Sequence, residues 1–259
     1  MTTFERGFAD VEKTATAAAQ AAAAVVASAK QMQKAAIEGD IVKIRKASDR
    51  LESALGLARQ EAANARSAWP YSQDEEEEYL RGDYEQELLE AAKAQGLKIQ
   101  RQDERLVAFP SVVRIVPSER AARIDRKKVP AIRPTVLVAL LKANQTKRPK
   151  FASDKFLEAL YRAYRLIAGK DGVGMDVKLS KIYDAVTLLP GTTADYGKSD
   201  FGRDIFLLDR SGLTRLRSGV PFRLLRASTG TKEGKDIFSS VSPEGETVNY
   251  LGVSFSEGE

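Results

Sequence analysis

Eleven lysines and arginines against two acidic residues lie between positions 106 and 150, so this one stretch of a 259-residue chain carries a net charge of +9. Its densest part is Arg114, Arg120, Arg123, Arg126, Lys127, Lys128 and Arg133. Cations gathered this tightly can neutralise neighbouring phosphates and release the counterions that a nucleic acid condenses. No aromatic residue interleaves them, so stacking on splayed single-stranded bases has no support and contact with a duplex backbone is the simpler form. A second basic tract, from Arg210 to Lys235, includes Arg215, Arg217, Arg223, Arg226, Lys232 and Lys235 against Glu233 alone. Just before it, Asp200 to Asp209 holds three acidic residues and one cation, Arg203.

Other chemistries have little to stand on. The chain contains no histidine and no cysteine, which removes the usual zinc ligands, thiolate nucleophiles and every Ser-His-Asp or Cys-His arrangement. The best enzyme candidate is Asp125-Arg126-Lys127, half of a nuclease pattern in which a strand-borne carboxylate and a lysine share a metal and activate water, with Glu104 or Glu119 as the acidic partner. Gly191 to Ser199 resembles a phosphate-binding loop, but five residues separate its glycines where the motif needs four. Asp200-Phe201-Gly202 matches a kinase metal-binding triplet by letters alone. No cofactor is expected.

The elements that must position these cations follow from periodicity. Phe4, Phe8, Val11, Ala15, Ala18, Ala22, Val25, Ala29, Met32 and Ala36 step by four and three, and the stepping returns at Ile44, Ser48, Leu51, Leu55, Ala58, Ala62, Ala65 and Trp69. With Gly39 as a stop and Asp40 as a cap, this predicts an antiparallel helical hairpin over 1–70. Alanine seams bury little area, so the hairpin is expected to dock another helix or a second subunit. Ser72 and the acids from Asp74 to Glu78 read as a capped helix start, continuing to Gly96. From Leu97 the period changes to two, with a turn at Asp103-Glu104, predicting a small sheet; Arg133-Pro134 opens another helix, and the middle domain ends at 150 in a linker, Lys147-Arg148-Pro149-Lys150.

Beyond it, helices are expected about Phe156 to Ile167, Leu179 to Leu189 and Asp200 to Asp209. A strand pair is expected at Leu213–Arg217 and Phe222–Arg226. A final hairpin would join Ile237–Val241 to Val248–Phe255 across Pro243-Glu244-Gly245. Three helices followed by a hairpin over 151–226 resemble a winged-helix module. That resemblance implies a third helix in the major groove and a basic wing on the backbone.

The expected fold is therefore α+β and mainly helical: an N-terminal helical hairpin (1–70), a small basic α+β middle (71–150) and a winged-helix-like domain with an extra β-hairpin (151–259). The expected function is non-catalytic: a double-stranded-DNA-binding subunit of a larger prokaryotic assembly, oligomeric or docked to partner subunits through the hairpin. The alternatives are a protein adaptor, in an ATPase-based or defence complex, that touches no nucleic acid, and a metal-dependent nuclease. The start of the chain lacks a basic, leucine-rich leader, and the Ala-rich run is too weakly apolar to span a bilayer, so a cytoplasmic location is expected.

Overall fold

The structure, a computed structural model, describes residues 2–102, 105–147, 151–169, 172, 174–227, 236–243 and 245–256. The expected turn at Asp103-Glu104, the linker residues Arg148, Pro149 and Lys150, and Lys232, Glu233, Lys235 and Glu244 lie outside the described residues. The chain forms two compact units, Met1–Glu87 and Leu88–Glu259.

In the first unit, α1 (Phe4–Glu38) and α2 (Ile41–Arg66) form the helical hairpin. Gly39 takes φ 73° at the turn and the Asp40 carboxylate accepts from Lys43 N at 3.0 Å, as a stop and a cap require. The seam is displaced from expectation. Phe8, Val11, Ala18, Val25 and Met32 do face inward, but the alternate inner positions beyond them are Thr14, Ala21, Ser28 and Ala35, one residue before the alanines chosen by hydropathy. On α2 they are Ala47, Ala54 and Glu61, with Ala68 continuing the row just beyond the helix end. Thr14 tolerates the seam because its hydroxyl donates to Asp10 O, 2.8 Å away in its own helix. The displaced residues Ala15, Ala22, Ala29, Ala36, Ser48, Leu55 and Ala62 are exposed.

The base of the hairpin is an aromatic cluster. Phe4 stacks on Tyr79 with centroids 4.5 Å apart and meets Phe8, Trp69 and Tyr71 edge-on. Gly7 allows the close approach of Trp69, since a Cβ there would lie 3.1 Å from the indole. Two helices follow where one was expected: α3 (Gln73–Arg81), capped by Ser72 with Glu75 returning the bond, and α4 (Tyr84–Ala94), the break falling at Gly82. Glu87 on α4 accepts from the backbone N–H groups of Phe4 and Glu5, at 3.1 and 2.8 Å, and so caps α1 with a carboxylate.

The second unit contains two antiparallel sheets. The first is a meander of β1 (Gln100–Gln102), β2 (Arg105–Ala108), β3 (Ser111–Val116), β4 (Ala121–Ile124) and β5 (Lys127–Val129), followed by α5 (Pro134–Gln145). After α6 (Ser153–Ala168) come β6 (Val177–Lys178), α7 (Leu179–Val186), the short α8 (Thr192–Asp195), α9 (Lys198–Asp209), β7 (Phe222–Arg226), β8 (Phe238–Val241) and β9 (Thr247–Phe255). The three expected helices are present as α6, α7 and α9, with the short α8 between the last two, but the strand pairing after them differs from expectation. β7 pairs with β9, and between Leu213–Arg217 and the strand after it only an isolated bridge, Arg215 to Pro221, forms. β9 also pairs with β6 and β8.

Helix α9 lies at the centre of this unit. Phe201, Ile205 and Phe206 join a core with Leu160 and Tyr164 of α6, Phe238 of β8 and Val253 and Phe255 of β9. Val241 of β8 also meets Val107 and Val112 of the first sheet, and Phe109 lies edge-on to Phe206 at 5.3 Å. Both sheets thus bear on one helix.

Candidate nucleic-acid interface

β4 and β5 are joined by the two residues Asp125 and Arg126, with Ile124 opposite Lys127. Both turn residues carry positive φ, 49° and 70°, the twist that a two-residue hairpin loop demands and glycine usually supplies. Their side-chain partners hold this conformation. The Asp125 carboxylate accepts from Val112 N at 3.0 Å, from Ser111 Oγ at 3.2 Å and from Arg203 Nη1. The Arg126 guanidinium lies over the Tyr196 ring, 5.4 Å from its centroid. The hairpin therefore presents three successive exposed cations, Arg126 on the turn and Lys127 and Lys128 on the strand that leaves it.

A cross-strand row leads to it. Arg114 is opposite Arg123 and Arg123 is opposite Lys128, so all three share one face of β3, β4 and β5. Like charges in such a row need an acid among them, and Glu119 serves: it receives Arg123 at 2.8 Å and Lys128 at 3.1 Å. These two bonds, Arg123's the stronger influence, hold the Glu119 carboxyl below the usual carboxylate range. Asp195 lies 3.7 Å from Arg123. Arg120 and Arg133 are elsewhere: Arg120 sits at the far end of β4 with φ 45°, and Arg133 at the start of α5.

Arg203 is not placed as a base or phosphate reader. Its side chain is 9% exposed and bonds Asp204 through Nε and Nη2, at 3.0 and 2.8 Å, as well as Asp125. Burial alone would lower its pKa, but the charges of Asp204 and Asp125 outweigh burial and raise it. Arg203 is therefore the anchor of the hairpin turn. Most of the helix shares this burial: Ser199 to Phe206 are all buried, with Asp200 ion-paired to Arg105. In this chain, the helix that the winged-helix order would send into a groove is packed between two sheets.

The wing cations are exposed but mostly matched within the unit. Arg217 pairs with Asp154 at 2.7 Å, Arg223 with Asp176 at 3.7 Å and Arg226 with Asp209 at 2.5 Å, while Arg215 is exposed. They lie around β7, on the sheet that does not carry the β4–β5 hairpin.

The other motifs resolve simply. Asp125 belongs to a turn and is committed to Arg203; Glu119 is committed to Arg123 and Lys128; Glu104 lies outside the described residues. Among the described residues no group of three or more acidic side chains comes together to hold a metal. The loop that resembles a phosphate cradle contains α8, and α9 is preceded by its cap Gly197, whose N–H donates to Asp200 at 3.0 Å. Ser199 is inside the helix, its hydroxyl directed to Gln102 O at 3.2 Å.

Sequence reasoning missed Arg105, Asn144, Lys147 and Tyr196 as neighbours of the cationic turn. Register was the signal for Arg105, since Leu106 opposite Val113 in the β2–β3 pair brings the preceding Arg105 beside Arg114. Compared with protein-family models, with curated proteins and with solved structures, the chain matches none of them. Among the described residues no helix is long and apolar enough to cross a membrane.

Proposed function

We propose that this chain is a non-catalytic subunit that grips the phosphate backbone of duplex DNA with its β4–β5 hairpin, without reading bases through α9. The observation that carries the reading is three successive exposed cations at an anchored turn, Arg126 on the turn held from beneath by Arg203 and Asp125 and Lys127 and Lys128 at the start of β5, one to each face of the sheet. A rigid turn loses little conformational freedom on binding, which favours its use as a contact over a mobile tail of equal charge. The row from Arg114 to Lys128 extends the positive face, with Glu119 moderating it.

The N-terminal hairpin acts as the docking arm, and its partner is a second copy. The exposed apolar positions follow the inner ones by one residue on both helices, so in an antiparallel pair they fall on one flank. An apolar face three positions wide per heptad is what a helix of a four-helix bundle presents, whereas a two-stranded seam needs two. A face built alike from both helices is self-complementary about a two-fold axis. On its border, α1 carries Glu12 and α2 carries Arg66 at the same end of the hairpin, an arrangement that lets each copy offer an acid to the other's cation.

The test is binding of the full chain to a short duplex by fluorescence anisotropy, titrated with salt, beside a variant with Arg126, Lys127 and Lys128 changed to Ala. Binding should weaken steeply with salt, and the variant's log–log salt slope should be shallower by about 2 to 3 units. Unchanged binding in the variant, or none at low salt in the parent, removes the hairpin as a phosphate contact. A second reading, a protein adaptor without nucleic acid, draws on the pairing of Arg217, Arg223 and Arg226 with acids of their own unit; absent duplex binding would favour it.

A further inference from the structure

Beside the β4–β5 turn lies a cleft of about 610 Å³, inside the range of roughly 300–1,000 Å³ that small-molecule sites span. Its walls come from α5, the first sheet, α9 and the segment before α6. Leu140 and Leu207 supply apolar surface from the two helices, Ile124 and Val129 from the sheet, and Phe151 adds an aromatic ring. Leu140 is 41% exposed there, apolar area that a ligand would cover.

The polar groups in the cleft are few and ordered. Asn144 donates its amide N–H to Ser111 Oγ at 3.2 Å, and Ser111 donates to Asp125 at 3.2 Å. Because the amide nitrogen is directed at Ser111, the Asn144 carbonyl oxygen is the acceptor this wall offers a ligand. Asp204 is occupied by Arg203 and by the Tyr196 hydroxyl at 2.9 Å. The charge left over is positive: Arg203 is offset by Asp125 and Asp204, whereas Arg126, Lys127 and Lys147 line the same cleft and are exposed.

We infer that this cleft binds a nucleoside phosphate, its base lying against Leu140 and Phe151 within reach of Asn144 and its phosphate on Lys127 and Lys147. Three properties point to that class together: an aromatic and apolar wall for a flat ring, an amide for a base edge, and cations for a phosphate. The inference rests on the reading of the hairpin as a phosphate contact and extends it to a defined ligand. The same chemistry is carried by a free mononucleotide and by the terminal nucleotide of a strand.

The experiment is calorimetric titration of the full chain with adenosine monophosphate and, separately, with a short single strand bearing a 5′-phosphate. Each is repeated with Leu140→Trp, which fills the cleft, and with Lys147→Ala, which removes a cation and leaves the wall intact. Both probes or either one should bind the parent, and Leu140→Trp should weaken that binding by about tenfold or more. Lys147→Ala should weaken it less and steepen no salt dependence. Binding of the mononucleotide alone identifies a free ligand; a strand that binds and competes with it identifies a strand end. No heat with either probe at millimolar concentration, or binding untouched by both variants, overturns the inference. Duplex binding measured on Leu140→Trp separates the two readings: its retention alongside lost nucleotide binding isolates the cleft, and nucleotide binding without any duplex binding sustains the cleft and removes the hairpin contact.

Discussion

Gly202 on α9 faces the backbone of Ser239 on β8 so closely that a Cβ on the glycine would fall well inside contact with the Ser239 carbonyl oxygen. The neighbour is backbone, which cannot swing aside, so Gly202→Ala must push the helix off the sheet. Overpacking of this kind costs about 1–3 kcal/mol, against the roughly 1 kcal/mol that alanine gains over glycine in a helix. The denaturant midpoint should fall. Gly56 on α2 has nothing within 4 Å of its would-be Cβ, and Gly56→Ala should raise the stability of the first unit by up to about 1 kcal/mol. Urea unfolding of the two variants, followed by circular dichroism, checks the opposite signs.

Arg203→Ala leaves the Asp204 carboxylate buried without its cation and releases Asp125. Removing one partner of a buried pair costs about 3–5 kcal/mol, and a loss of this size in urea unfolding is expected. Asp125→Asn is the milder test, since asparagine tolerates the left-handed backbone but accepts more weakly from Arg203. It should loosen the turn, read as faster amide exchange at Arg126 and Lys127, with unfolding free energy changed less than in Arg203→Ala.

Glu119→Gln removes the acid that Arg123 and Lys128 share. Duplex binding should tighten by about two- to fivefold, the scale of an exposed ion pair. The folded-state pKa of Glu119 is depressed, so the stabilisation from these bonds is fully present above the unfolded value near ~4.3 and is lost as pH falls through the lower folded value. A carboxyl-carbon titration by NMR should place the Glu119 midpoint below that of an unpaired glutamate.

Ala22→Glu together with Ala29→Glu puts charges on the exposed row of α1 while leaving the inner seam alone. Sedimentation should show the parent self-associating and the double variant monomeric, with helical content preserved. Ala21→Glu, one residue from the exposed row but buried in the seam, should instead lower helical content. A monomeric parent at all concentrations would remove the second copy as the partner.

Periodicity made the two-helix hairpin legible and misplaced its seam for a physical reason. Thr14 and Ser28 are less apolar than Ala15 and Ala29, so hydropathy chose the outer row, yet close antiparallel packing requires small side chains more than greasy ones. The clustering of cations was legible from charge alone, whereas the turn at Asp125 and Arg126 was not. The burial of Arg203 was harder to read because its partner Asp125 lies 78 positions away and the helix carries one apolar face, Phe201, Ile205 and Leu208, beside a polar one that reads as exposed. Pairing of the wing cations was invisible for the same reason: Asp154 and Arg217 are 63 positions apart. Strand order failed where partners were distant, as β7 passed over its neighbour in sequence to join β9.

That choice makes β9 the common partner of β6, β7 and β8. Each of those three owes its ladder to one nine-residue strand: β8 meets it locally, as the next strand in sequence, whereas β6 and β7 have no ladder until β9 docks. Closing the β6 contact over its long separation slows folding, and the shared strand couples the segments afterwards. Protons on the backbone of β6, β7 and β8 should leave for solvent in a single concerted opening, with one shared free energy. A perturbation at Val253, which lies between Val177 and Leu224, would register simultaneously at both flanking strands, making this residue the place where the sheet behaves as one body.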